Sequence, residues 1–154
     1  MVHAAGLFLI RNDNRFLVGH PTNHKPNFWG IPKGRLDNNE KPIEAAVRET
    51  FEETNADVSN WRVIHHLPPV EYKRMKKTLH PFVLFEIQNP IDFSKFELKC
   101  NSFVPESQGG FPEMDDYRWI TLDEARKCLY DSQLACLDTI EEMIKKLNNG
   151  ENTK

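Results

Sequence analysis

A chain of 154 residues with 39% apolar and 28% charged side chains has the balance of one soluble globular domain, long enough to hide roughly 70% of its unfolded surface. Intrinsic disorder is excluded, and the longest early apolar run, Ala4 to Ile10, is far short of the roughly 20 residues of a membrane span and lacks a basic leader, so a cytoplasmic protein with no membrane partner is expected. A net charge of −3 excludes a global positive field for nucleic acid, and three cysteines without a CxxC pair exclude a disulfide frame or zinc knuckle.

From the start, residues 3–20 read as a hairpin, two short apolar strands joined by the turn formers Asn12, Asp13 and Asn14. Proline, asparagine and glycine then oppose regular structure from Pro21 through Trp29 to Gly34. Pro42 marks a helix start, and Ile43, Val47, Thr50 and Thr54 recur at helical spacing and are expected to face the core. The helix is expected to stop at Asn55, which tolerates a left-handed cap. Trp61 to His66 and Pro81 to Ile87 read as strands, with a basic stretch from Glu71 to Lys77 between them. Residues 89–112 read mostly as loop, and Tyr117 to Ile120 as a short strand. Thr121 to Glu124 has the form of a capping box, and Leu134, Leu137, Ile140, Ile144 and Leu147 stripe a last helix. A single domain over 1–147 with a frayed tail over 148–154 follows. Its class is α/β, a mixed sheet between helices on two faces. Trp29, Trp61 and Trp119 are expected in the core.

Chemistry concentrates between Gly34 and Ala56. Glu49, Glu52 and Glu53 fall on one helix face, roughly opposite the core stripe, and so are expected to point away from the core. Like charges at this spacing destabilise a helix, so three need solvent or a compensating cation; a hard divalent ion suits oxygen ligands. A solvated acidic face is the ordinary alternative for such a cluster.

The wider spacing decides between them. The segment runs Gly34, five residues, Glu40, seven residues, Arg48-Glu49, two residues, Glu52-Glu53, and this resembles the signature of the Nudix hydrolase family. Thr50 stands where the family has an aliphatic residue, and Asn55 where it has glycine; neither change removes a charge. The resemblance implies an α/β/α sandwich, one divalent cation or more, Mg²⁺ or Mn²⁺, and hydrolysis of a phosphoanhydride. It further implies that Glu49, Glu52 and Glu53 bind metal, that one of them doubles as base, and that Arg48 braces the cluster with Glu40 as partner. Lys33, beside Gly34, takes both a phosphate-facing position and a metal-binding carbonyl position.

The resemblance extends over most of the chain, and WGIPKG at 29–34 with EMDDYRWITLDEA at 113–125 looks most like the asymmetrical dinucleoside-tetraphosphate hydrolase group. That likeness implies a further acidic metal ligand, best matched by Glu113, with Asp115 and Asp116 as rivals. It also implies that Tyr72 stacks on a base, with packing in the core or at its rim as the alternative. Lys73, Arg74, Lys76 and Lys77 form the densest positive patch, suited to a phosphate chain or to a solvated strand edge, with Lys73 and Lys77 the chosen contacts. A dinucleoside tetraphosphate such as diadenosine tetraphosphate is the first expected substrate. Removal of pyrophosphate or a cap from RNA 5′ ends, hydrolysis of diphosphoinositol polyphosphates, and a nucleotide-binding sensor without catalysis are the alternatives. The expected assembly is a monomer or small homo-oligomer.

Overall fold

A computed structural model describes residues 1–150, with every side chain in that span except that of Lys73. The expected contact from Lys73 and most of the expected tail therefore lie outside the described residues.

The hairpin forms from β1 (Val2–Ile10) and β2 (Phe16–Pro21), with Asn14 in the left-handed region at φ 65° in the turn. β1 is the centre of the sheet. One edge pairs in parallel with β6 (Lys77–Phe85) over nine residues; the other is shared by β2 and a short strand, β3 (Lys33–Arg35), both antiparallel. β4 (His65–His66) and β5 (Val70–Tyr72) line the outer edge of β6, and β7 (Met114–Ile120) pairs with β2. The sheet is mixed, as the sequence implies.

Alternation along β1 builds two cores. Leu7, Leu9 and, from β2, Leu17 pack with Ala45 and Ala46 of α1 (Pro42–Thr54) on one face. Phe8, Ile10, Phe16 and Val18 pack on the other face, in one cluster with Ala125 of α2 (Leu122–Cys128) and with Leu137, Ile140 and Ile144 of α4 (Leu137–Asn148). Between those two helices lies the single turn of α3 (Asp131–Leu134). This is an α/β/α sandwich, and each fully buried Leu or Phe contributes about 2 kcal/mol to it.

The caps behave as their residues dictate. Pro42 opens α1, the Lys41 N–H donates to the Glu44 carboxylate, and Asn55 closes the helix at φ 66°. Thr121 and Glu124 form the reciprocal capping box at the start of α2. Thr50 is fully buried and places its hydroxyl on the Ala46 carbonyl at 2.7 Å, so the polar substitution is satisfied inside the helix.

Several expectations need correction. Lys33 to Arg35 is a strand, because β1 outruns β2 and leaves an unpaired edge at residues 4–6 that three residues can satisfy. The strand expected over Trp61 to His66 shrinks to His65–His66, since the Asn89 side chain takes the amides of Arg62 and Val63 at 2.6 and 2.8 Å. Ile87 leaves the β6 ladder for a 3-10 turn at 86–88. Trp61 is 36% exposed, at the rim of the α1 face. Among the described residues, no helix is long and apolar enough to cross a membrane.

Candidate active site

The face of α1 that carries the carboxylates leans against β3. Glu53 is only 5% exposed, contrary to the outward orientation expected, and its Oε1 accepts the Lys33 N–H at 2.8 Å. A rotation of 100° per residue puts three acids on one side, but it does not reveal that an edge strand covers that side. Gly34 makes the approach feasible: a Cβ there would collide with the carboxyl group of Glu49.

Arg48 ties the group together. Its Nε and one terminal nitrogen grip both oxygens of Glu40 at 2.8 and 2.9 Å, and the same terminal nitrogen reaches the Arg35 carbonyl at 2.9 Å. The other terminal nitrogen donates to Glu49 at 2.8 Å and more loosely to Glu52 at 3.2 Å. The hydrogen bonds with Glu40, foremost, raise the Arg48 pKa; the same contact holds Glu40 below its usual range. Glu52 is the most open of the three acids, its side chain 38% exposed against 12% for Glu49.

One cation does not balance this charge. Burial pushes the Glu49 carboxyl up to about 7 and outweighs the opposing pull of Arg48, with the charges of Glu52 and Glu113 adding smaller upward pushes. Burial raises Glu53 as well, with Glu49 and Glu113 adding to it against the Lys33 amide. Glu113 is thus electrostatically part of the cluster, whereas its rivals are engaged elsewhere. Asp115 pairs with His20 at 2.6 Å, and Asp116 accepts the Tyr117 N–H at 2.8 Å. Among the described residues, no three His, Cys, Asp or Glu side chains already close on one point as a finished metal cage. The donor set nevertheless suits a hard cation. Glu49 packs on Gly34 and feels the charges of Glu52 and Glu113, Glu53 feels those of Glu49 and Glu113, and a divalent ion would relieve that repulsion.

The opposite face of the same strands carries positive charge. Pairing puts Lys33 opposite Gly6, Arg35 opposite Ala4, and Lys77 opposite Val2, all on the side of β1 that Phe8 and Ile10 occupy. Burial lowers the Lys77 pKa first, and the charges of Lys33 and Arg35 lower it further, so these three cations crowd one another. Beside them opens a cavity of about 400 Å³ whose lining includes Tyr72, Arg74, Met75 and Tyr130, with Glu71 and Asp131 also on its wall. Tyr72 is cross-strand partner to Lys77, and the Lys33 Nζ lies 5.2 Å from the centre of the Tyr130 ring. Burial carries the Tyr130 hydroxyl up to about 12, with Glu53 and Tyr72 contributing, so Tyr130 lies within electrostatic reach of Glu53.

Sequence reasoning had no signal for Tyr130 and passed over Arg35. Tyr130 belongs to no motif and reaches the site only through the turn of α3. Arg35 could have been found from the alternation that places it, like Lys33, on one face of a strand. Tyr117 was read only as strand; its hydroxyl donates to the Glu53 carbonyl.

Comparison with known proteins bears on the family and the fold. A family model for the NUDIX domain matches residues 2–138. Among solved structures, the chain is similar to a C. elegans Ap4A hydrolase binary complex, 26% identical with a TM-score of 0.67, the match covering 94% of this chain and 98% of that one. An RNA pyrophosphohydrolase from Pelagibacter ubique is 23% identical over 150 residues, 96% of this chain and 93% of that protein. An 8-oxo-dGTP diphosphatase from Proteus vulgaris is 30% identical over 93 residues, 60% of this chain and 82% of that protein.

Proposed function

The chain belongs to the Nudix family and is a hydrolase, and from that premise we propose that it cleaves a phosphoanhydride bond in a dinucleoside polyphosphate such as diadenosine tetraphosphate. The observation that carries the reading is the division of charge about β3. Acids gather under one side, while Lys33, Arg35 and Lys77 crowd the other beside a tyrosine-lined cavity. A polyphosphate needs both, because the carboxylates alone would repel it.

Glu49, Glu52, Glu53 and Glu113, with the Lys33 carbonyl, would hold Mg²⁺ or Mn²⁺. Such an ion supplies charge neutralisation and Lewis acidity at the phosphate oxygens. The protein does the rest. Lys33, Arg35 and Lys77 draw in the phosphate chain, and Tyr72 and Tyr130 take one base between them, which fixes which anhydride meets the carboxylates. Lys73 belongs to the same basic stretch. A carboxylate of the cluster accepts the proton of the attacking water as the bridging P–O bond breaks, and Arg48 with Glu40 keeps Glu49 and Glu52 aimed.

A second reading, pyrophosphate removal from RNA 5′ ends, draws support from the Pelagibacter relative. A panel of diadenosine tetraphosphate, 5′-triphosphorylated RNA, 8-oxo-dGTP and a diphosphoinositol polyphosphate, each with Mg²⁺, decides. Faster turnover of the dinucleotide, abolished in Glu52→Gln and Glu53→Gln, is expected. Preference for RNA with a steep loss of binding in salt would replace the first reading by the second. Unchanged turnover in both variants would remove the assigned site. No turnover of any substrate by the wild type would leave a binding module.

A further inference from the structure

The last turn of α1 carries Glu52 and Glu53, and every carbonyl of that turn is taken by a defined partner. Phe51 accepts from the Asn55 amide at 2.8 Å and from the Asn101 side chain at 3.0 Å. The Glu52 carbonyl accepts the Asn101 N–H at 2.7 Å, Glu53 accepts the Tyr117 hydroxyl, and Thr54 accepts the Lys99 N–H at 3.1 Å. Helix ends ordinarily leave such groups to water. Here the segment 97–101 is laced along them, with Asn101 also bonded to the Asn55 side chain at 2.9 Å and Asn55 to the Glu97 carbonyl at 2.9 Å.

The same segment leads straight to the fourth acid. Ser102 follows Asn101 and accepts the Glu113 N–H at 2.9 Å, while Phe103 pairs with Pro112 and Val104 donates to Phe111 at 3.0 Å. The Glu113 carbonyl in turn accepts the Thr22 N–H at 3.0 Å. Residues 102–113 thus make a closed loop whose two ends meet at Ser102 and Glu113, directly after Asn101. The backbone of Glu113 is registered to the backbone of Glu52 through two consecutive residues, Asn101 and Ser102.

We propose that Asn101 is a positioning residue: its side chain, bridging Phe51 and Asn55, pins the 102–113 loop to the acidic turn of α1 and so sets where Glu113 stands relative to Glu49 and Glu53. It acts through Glu113 and touches no substrate. The proposal rests on the reading of Glu113 as a cation ligand, and a double-mutant cycle separates the two.

The measurement is Mn²⁺ affinity by isothermal titration, without substrate, for wild type, Asn101→Ala, Glu113→Gln and the double variant, with thermal unfolding and the kcat and KM of each. Loss of the side chain's hydrogen bonds is expected to weaken Mn²⁺ binding about fivefold. kcat should fall and the KM for nucleotide stay nearly constant. In the Glu113→Gln background the same change should move Mn²⁺ affinity by less than about twofold, because nothing is left for Asn101 to position. Asn101→Leu, similar in volume and without a donor, should reproduce the result if the alanine variant folds poorly. Equal losses in both backgrounds would show Asn101 to be an ordinary helix cap and overturn the proposal. If Glu113→Gln alone leaves Mn²⁺ binding intact, the ligand reading of Glu113 falls first and takes the proposal with it.

Discussion

Adding one methyl group at Gly34 is expected to disable the carboxylate cluster while leaving the fold standing. Gly34 lies in β3 opposite Ala5 and is not among the residues with positive φ, so alanine meets no backbone penalty there. The obstacle is Glu49, whose carboxyl carbon and both oxygens occupy the space of the new Cβ. To reach ordinary van der Waals separation the carboxyl must retreat by about 1 Å or more, which pulls its Oε1 off Arg48. Overpacking of this kind costs about 1–3 kcal/mol. For a chain of this length that is a fall of about 3–10 °C in Tm. The catalytic loss should be larger, since displacing a reacting group by about 1 Å costs on the order of 100-fold. The assay pairs kcat/KM on diadenosine tetraphosphate with Mn²⁺ titration and thermal unfolding. A Gly34→Ala protein with wild-type turnover and metal affinity would refute the packing of Glu49 against β3 on which the site is built.

Arg48→Ala leaves Glu40 and Glu49 without their cation and should destabilise by about 2 kcal/mol, read by thermal unfolding, besides suppressing turnover. Tyr72→Ala and Tyr130→Ala should each raise KM for the dinucleotide about tenfold with a smaller change in kcat, as expected for a lost stacking partner; steady-state kinetics check this. Mg²⁺ at about 100 times its dissociation constant should stabilise the chelator-treated protein by about 2.7 kcal/mol, and the rise in Tm should vanish in Glu53→Gln. For His20, burial disfavours the charged ring, yet the bonds to Asp115 and to the Lys25 carbonyl outweigh it and raise the pKa. The pairing therefore stabilises fully below the unfolded value near 6.5 and is lost as pH rises through the higher folded value. Accordingly His20→Gln should lower Tm more at about pH 5.5 than at about pH 9.

Much of this was written locally in the chain. The helix bounds at Pro42 and Asn55, the capping box at Thr121 and the alternation of β1 are decided by residues within a few positions of one another, and each appears where the sequence puts it. The spacing from Gly34 to Glu53 names the acids, but it is silent on their burial, which depends on β3 finding the free edge of β1. The same limit hid Tyr130, which reaches Lys33 across about a hundred residues of chain, and Arg35, whose role depends on Lys77 coming in parallel from β6. Trp61 misled because an aromatic side chain carries no record of which neighbours arrive; the rim of α1 leaves it half open. What sequence could not supply was long-range pairing, and the site is assembled almost entirely from it.

The two cores on either side of β1 have a consequence for how such a molecule can diversify. Three of the acids hang from α1 on one face, while the tyrosine-lined cavity is walled by β5 and α3 on the other, and each face packs on its own apolar core. A substitution that reshapes the cavity is therefore expected to be felt by one core more than by the packing of α1. On the proposed reading, the part that selects a nucleotide and the part that holds the acids rest on different packing, joined only through the strand between them.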